Sequence, residues 1–254
     1  MARERRVVIT GLGAIAPNGI GKDAFWEGLI NGRSGIRRIT HFDASQFPCQ
    51  IAGEVSDFEP TLYAESREVR RMSRVSQFAV AAAQMALDDA GLRVTPQNAR
   101  QIGVCFGAST GKGEIIETDY LPFLERGVRG ISPSTHREFA PHAVTSHAAI
   151  ALGVSGVSGS VATACAAGLD ALYWAALQIH CGRAVAMVAG SAEALLSPFA
   201  FGAVCAGGML SRRNEAPQVA SRPFERHRDG MVLGEGAGAV TLEALEQAQE
   251  RHAK

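Results

Sequence analysis

The stretch Ser160-Val161-Ala162-Thr163-Ala164-Cys165-Ala166-Ala167-Gly168 decides how this chain is read. Its first five residues read as a buried β-strand. Beyond them Leu169, Leu172, Tyr173, Ala176 and Ile179 recur at helical spacing up to Gly182, and residues 185–188 form a short apolar strand. Strand, helix and strand in so short a compass predict a right-handed β-α-β unit in a mostly parallel sheet, hence an α/β protein. Cys165 then falls where the carboxyl end of a strand meets the amino end of a helix. Unpaired N–H groups and the helix dipole at such a junction favour an anion, here a thiolate. The same N–H groups can hold an oxyanion when the sulfur attacks a carbonyl. Small neighbours (Ala164, Ala166, Ala167, Gly168) leave room for a substrate. Locally, two readings stay open: a nucleophile, or an apolar cysteine packed in an alanine-rich junction.

Outward from this unit the alternation continues. Residues 6–10 predict a short β-branched strand followed by a glycine turn, and residues 23–30 a helix closed by Asn31-Gly32. Residues 67–90 predict one long amphipathic helix, stopped by Gly91, with Val75, Phe78, Ala82, Met85 and Leu87 on its apolar stripe. Residues 101–106 read as a strand before a glycine-rich loop over 107–113. Residues 236–242 read as a last strand and 245–252 as a terminal helix. No linker, low-complexity tract or short-period repeat divides the chain, so residues 1–254 are taken as one unit.

Composition narrows the classes. At 254 residues and 46% hydrophobic, the chain can bury a sizeable core. Its 25 basic and 25 acidic residues cancel, which argues against a disordered chain and against a general nucleic-acid binder. Glycine is abundant (28) and aromatics are sparse (6%), as suits close packing of helices on a sheet. The five cysteines are widely spaced without a C-x-x-C pair, so a disulfide framework or zinc site is not expected, and reduced thiols in a cytoplasm are. Cys49, Cys105, Cys181 and Cys205 lack the setting of Cys165 and read as packing residues. Arg3, Arg5 and Arg6 before an apolar run imitate a secretion signal, but Gly11 and Gly13 interrupt the run. Residues 139–169 carry no charged side chain, yet Pro141, His142, His147 and four glycines argue against a spanning helix.

Two motifs are set aside. Gly11-Leu12-Gly13-Ala14-Ile15-Ala16 fits a dinucleotide fingerprint, but Pro17-Asn18-Gly19 breaks the chain where its helix must open, and a structural turn is preferred. The run from Gly107 to Gly113 is one residue short of a phosphate loop, with Gly113 where a magnesium-binding hydroxyl is needed. The seven histidines show no metal spacing; His142 and His147 read as structural or surface residues.

Longer matches run in one register along nearly the whole chain: Arg6-Val7-Val8-Ile9-Thr10-Gly11-Leu12-Gly13, Gly32-Arg33-Ser34-Gly35-Ile36, His41-Phe42-Asp43, Ala162-Thr163-Ala164-Cys165-Ala166-Ala167-Gly168 and Val188-Ala189-Gly190-Ser191-Ala192-Glu193. Leu210-Ser211, Ser221-Arg222-Pro223-Phe224, Arg228-Asp229-Gly230 and Leu233-Gly234-Glu235-Gly236-Ala237-Gly238 complete them. With these segments the chain resembles the amino-terminal half of a β-ketoacyl-acyl-carrier-protein synthase, a condensing enzyme of fatty acid or polyketide synthesis.

The resemblance implies a thiolase-like fold, the amino-terminal half of an αβαβα layered architecture with a mostly parallel mixed sheet, commonly a homodimer and cytoplasmic. It implies that Cys165 accepts an acyl group from the phosphopantetheine of an acyl-carrier protein, before decarboxylative condensation with the malonyl-carrier protein; no cofactor is bound by the chain itself. Phe201, Gly202 and Val204 lie where the family builds part of its acyl tunnel, though core packing explains them nearly as well. Arg67, Arg70, Arg71 and Arg74 recur at helical spacing where the family helps dock its acidic carrier. Met209, with Gly207 and Gly208, departs from a stretch where the family often has an arginine. The family's decarboxylating histidines and supporting lysine belong to its second half, and His142, His147, His180 and His227 do not match them. The expectation is a fragment, or one part of a split synthase, inactive in condensation alone and apolar where the second half would sit. The alternatives are a non-catalytic scaffold or carrier-docking subunit, and a coenzyme A-dependent enzyme of the same fold.

Overall fold

A computed structural model describes residues 5–253; Arg3 and Lys254 lie outside them. The chain opens on β1 (Val7–Ala16), turns through β2 (Gly19–Ile20) into α1 (Lys22–Ile30), and forms a small ribbon of β3 (Ile36–Arg38) and β4 (Ile51–Gly53). The helices α2 (Ser66–Val69) and α3 (Arg74–Ala90) lead to β5 (Ile102–Gly107). Then come α4 (Leu121–Arg126), α5 (Thr135–Glu138) and α6 (His142–Leu152), followed by β6 (Ser158–Val161), α7 (Ala167–His180) and β7 (Ala186–Glu193). After α8 (Pro198–Ala206) an irregular stretch precedes β8 (Gly236–Ala244) and α9 (Leu245–Glu250).

The main sheet is ordered β2-β1-β8-β7-β5-β6. Strands β1, β5, β6 and β7 point one way, whereas β8, between β1 and β7, and the short β2 run against them. The β6-α7-β7 crossover joins strands of one direction, with β5 lying between them. Side chains alternate across the sheet. Ile102, Val104 and Phe106 of β5 pack with α3 and α6 on one face. Cys105 of β5 and Met187 and Ala189 of β7 meet Ala171, Ala175 and Ile179 of α7 on the other. The sheet is thus the middle of three layers. A third, smaller core gathers Cys49, Ile51, Phe201, Leu210 and Ala220 beside the β3–β4 ribbon.

Three expectations are corrected. The glycines at 11 and 13 make no turn: β1 continues through them, because a Cβ on Gly13 would lie 2.0 Å from the Ala82 carbonyl oxygen, and one on Gly11 2.1 Å from that of Ala86. They let the strand lie directly on α3, and the dinucleotide fingerprint is strand backbone. The helix expected over 67–90 is broken in two. Ser73, extended at the start of α3, gives its N–H and hydroxyl to the buried Glu138 carboxylate instead of continuing the helix (2.9 and 2.6 Å). The strand before Cys165 ends at Val161 and is a half-exposed edge, not a buried strand over 160–164. No described helix is long and apolar enough to cross a membrane.

Candidate active site

Three residues, Ala162 to Ala164, separate the end of β6 from Cys165, and they turn sharply. Ala164–Ala166 form a 3₁₀ turn, and Ala164 takes φ 53°, a left-handed conformation that costs an L-residue roughly 1–2 kcal/mol. The turn leaves the Cys165 side chain exposed. The start of α7, by contrast, is held hard against the sheet. A Cβ on Gly107, at the end of β5, would lie 2.4 Å from the Ala167 carbonyl oxygen, and one on Gly168 would lie 2.8 Å from Oγ of Ser191 in β7. Glycine at both positions lets the first turn of the helix seat on two strand ends at once.

The donors around the sulfur are fewer than the sequence leads one to expect. The N–H of Ala166 is given to the Thr163 carbonyl (3.2 Å) and that of Ala167 to the Ala164 carbonyl. The N–H of Cys165 itself has no acceptor among the described residues, so it is free to meet a developing oxyanion. Across the turn, the Thr163 hydroxyl donates to the Asp170 carboxylate at 2.5 Å. Beside the sulfur opens a hollow of about 720 Å³, walled by Leu12, Trp26, Leu169, Leu172 and Val240. Its lining is that of an apolar-ligand site or of a surface waiting for more protein.

The other expected site residues are scattered. Ala164 is exposed beside the cysteine. Phe201 is fully buried and meets Phe42 and Phe47 edge-on, with ring centroids 5.6 and 5.8 Å away. Gly202 faces the Phe47 ring, which a Cβ there would approach to 3.2 Å, and Val204 is half-buried in the same small core. None of the three lines the hollow that contains Cys165.

The four arginines share no continuous helix face, because the break before α3 separates them. Arg67 and Arg70 are exposed, and Arg71 pairs with Glu68 at 3.1 Å. Arg74 is committed inward: it donates Nε and Nη2 to the buried Glu235 (2.7 and 2.6 Å), gives Nη2 also to the Val55 carbonyl (2.7 Å), and covers the Phe78 ring.

The remaining cysteines differ among themselves. Burial pushes the Cys105 thiol up to about 12, and it raises Cys49 and Cys205 as well, so these three are held as thiols. Cys181, expected in the packing, is exposed instead, because it caps the carboxyl end of α7 beyond the last inward-facing turn. His147 is buried on Glu138, and His142 is exposed at the start of α6.

Several carboxylates that tie segments of the fold together escaped the sequence reading. Glu193, at the end of β7, accepts from the Ser109 N–H (2.9 Å) and the Thr110 hydroxyl (3.3 Å), tying down the loop beyond β5. Asp229 accepts from the Ser211 hydroxyl (2.7 Å), the Arg212 N–H and Arg213 Nε, so two separate sequence motifs are bonded to each other. The Ser211 bond, with those of Arg212 and Arg213, holds the Asp229 carboxyl below the usual carboxylate range. Asp170 had one legible signal, an acid in the first turn of a helix that opens just after a candidate nucleophile.

A three-layered α/β chain that offers one sulfur from a strained strand-to-helix turn belongs to the thiolase-like fold class, and this one forms its amino-terminal half. The chain is a member of the β-ketoacyl synthase family: the family described as "Beta-ketoacyl synthase, N-terminal domain" matches residues 4–248. It is 41% identical over 251 residues to 3-oxoacyl-[acyl-carrier-protein] synthase 2 of Vibrio harveyi, covering 99% of this chain and 60% of that relative. A β-ketoacyl synthase from Burkholderia phymatum superposes with a TM-score of 0.89 at 32% identity, over 98% of this chain and 62% of that one. A type II polyketide ketosynthase, solved in complex with its acyl-carrier protein, superposes with a TM-score of 0.82 at 33% identity, over 99% and 61%. The chain therefore spans about three-fifths of the length of the relatives it matches.

Proposed function

We propose that this chain carries the acyl-accepting step of a β-ketoacyl-acyl-carrier-protein synthase, with Cys165 as the acceptor. One observation carries the reading: in a family of condensing enzymes, the single cysteine on the strand-to-helix turn is exposed beside an apolar hollow. The Cys165 thiolate attacks the carbonyl carbon of an acyl thioester on the carrier's phosphopantetheine. The Cys165 N–H meets the oxyanion, the bond from carbonyl carbon to pantetheine sulfur breaks, and the proton lost by Cys165 ends on the departing thiol. The reading needs no resident cofactor for this step, since the phosphopantetheine arrives on the partner.

Arg67, Arg70 and Arg71 are proposed to meet the acidic carrier, with Arg74 fixing the start of α3 beneath them. Phe201, Gly202 and Val204, which do not line the hollow at Cys165, are proposed by the resemblance alone to back an acyl tunnel from the small core beside the β3–β4 ribbon. By the same resemblance the reading includes a homodimer acting in the cytoplasm, in fatty acid or polyketide synthesis. Condensation with malonyl-carrier protein needs the family's paired histidines, which nothing in residues 1–254 matches. These residues alone are therefore expected to be acylated without producing a β-ketoacyl product.

The test is intact-mass spectrometry after mixing with an acyl-loaded carrier protein. The expected result is one acyl mass on Cys165, none on Cys165→Ala, and no β-ketoacyl product when malonyl-carrier protein is added. An unmodified, folded wild-type chain would refute the acceptor role and leave the scaffold reading.

A further inference from the structure

Thr163 and Asp170 stand on either side of Cys165 and are bonded to each other, Oγ1 to Oδ2 at 2.5 Å. Among the described residues, this is the one side-chain hydrogen bond made anywhere between 162 and 170. Everything inside the clasp is apolar apart from the sulfur, and all of it but Leu169 is small: Ala164, Cys165, Ala166, Ala167, Gly168, then Leu169. The two ends differ in how firmly they are held. Asp170 lies in the first turn of α7, whose start is seated against Gly107 and Ser191 with no room for even a methyl group. Thr163 lies on exposed chain just past the edge strand. A left-handed Ala164 persists only where its surroundings over-determine it, and the alanine side chains of this turn cannot do so.

We propose that Thr163 and Asp170 are positioning residues: their hydrogen bond ties the exposed half of the turn to the rigid start of α7 and so fixes the direction from which Cys165 meets an acyl thioester. The Asp170 carboxylate acts there as a hydrogen-bond acceptor. The proposal rests on Cys165 being the acyl acceptor. It adds that the acceptor's reactivity toward a carbonyl depends on two residues that make and break no bond in the transfer.

The test measures two rates on the full chain and its variants, resolved by peptide mass spectrometry. One is acylation of Cys165 by the hexanoyl thioester of N-acetylcysteamine; the other is alkylation by iodoacetamide, which needs an accessible sulfur but little angular precision. Cys181, exposed at the far end of α7, is the internal control. Thr163→Val, nearly isosteric, and Asp170→Ala should each slow Cys165 acylation about ten-fold or more, since misplacement by an ångström costs up to about a hundred-fold. Alkylation should change by less than about three-fold, and Cys181 not at all, in keeping with an angular effect. Thr163→Ser and Asp170→Asn, which keep a donor and an acceptor, should restore acylation to within about two-fold of wild type. Thermal unfolding of each variant identifies one that is merely unfolded, and Thr163→Val decides the matter should Asp170→Ala not fold. Acylation at the wild-type rate in Thr163→Val overturns the proposal, and so does an Asp170→Asn variant as slow as Asp170→Ala. A wild-type Cys165 acylated no faster than Cys181 overturns the acceptor role itself, a result visible before any variant is compared.

Discussion

Glu138 accepts hydrogen bonds from the Ser73 N–H and hydroxyl, the Ser76 hydroxyl and His147, all inside the protein. Burial alone would push this carboxyl up; the hydrogen bonds from His147 and Ser73 outweigh it and carry the value down to about 2. A carboxyl depressed on folding contributes stability that is present above its unfolded value, 4.5, and is lost as pH falls toward 2. Unfolding followed by urea should therefore show stability dropping by roughly 3 kcal/mol between those limits, and Glu138→Gln should lose about as much at neutral pH while flattening the acid limb. At this scale the position of Cys165 between strand and helix was legible, because a thiol among small residues between strand and helix periodicities marks its own setting. Glu138 was not, and Asp170 showed only as an acid in the first turn of a helix, without its partner. A carboxylate's partner is decided by which segments meet, and Ser73 and Glu138 are brought together only by the fold. The left-handed Ala164 was equally hidden, since nothing in an alanine announces its φ; Ala164→Gly should raise stability in urea unfolding by about 1 kcal/mol, with slower acylation from a looser turn.

Glycines set the distances between elements. Gly13 places β1 against α3, and Gly107 places β5 against the start of α7. Gly13→Ala puts a methyl group 2.0 Å from the Ala82 oxygen, a backbone atom that cannot swing aside, so a loss of about 3 kcal/mol in urea unfolding is expected. Gly107→Ala should cost a comparable amount and, unlike Gly13→Ala, should also slow acylation of Cys165 in the fraction that folds, because it displaces the helix that adjoins the sulfur. Periodicity identified the elements it was applied to, including the last strand and its helix, while α4, α5, α6, α8 and the β3–β4 ribbon were not read from it. The misread glycines and the broken helix share one cause: local signals were taken at face value where packing overrode them. Two glycines in an apolar run mean a turn locally and a close approach in the folded chain. A serine inside a helical pattern means little until a buried carboxylate captures its N–H.

On the scale of the molecule, one sheet face lacks a complete cover. Trp26, Leu169 and Tyr173 are 63%, 75% and 71% exposed, and Leu12 on the sheet is 45% exposed. An apolar face was expected from the resemblance; its location over β1, β8 and the flank of α7 was not, because only the assembled layers show where helix cover ends. Contiguous apolar surface of this kind associates. Sedimentation should show concentration-dependent self-association of the 254-residue chain, reduced in a Leu169→Glu, Tyr173→Glu double variant whose melting temperature stays within a few degrees of wild type. Cys181 adds a practical consequence. With Cys49 and Cys105 sealed in the interior, α7 carries an accessible thiol at each end, about 24 Å apart along a helix of ordinary rise. Paired spin labels or dyes there would make α7 a ruler fixed in the protein, able to register a bend or tilt of the helix when another surface closes over it.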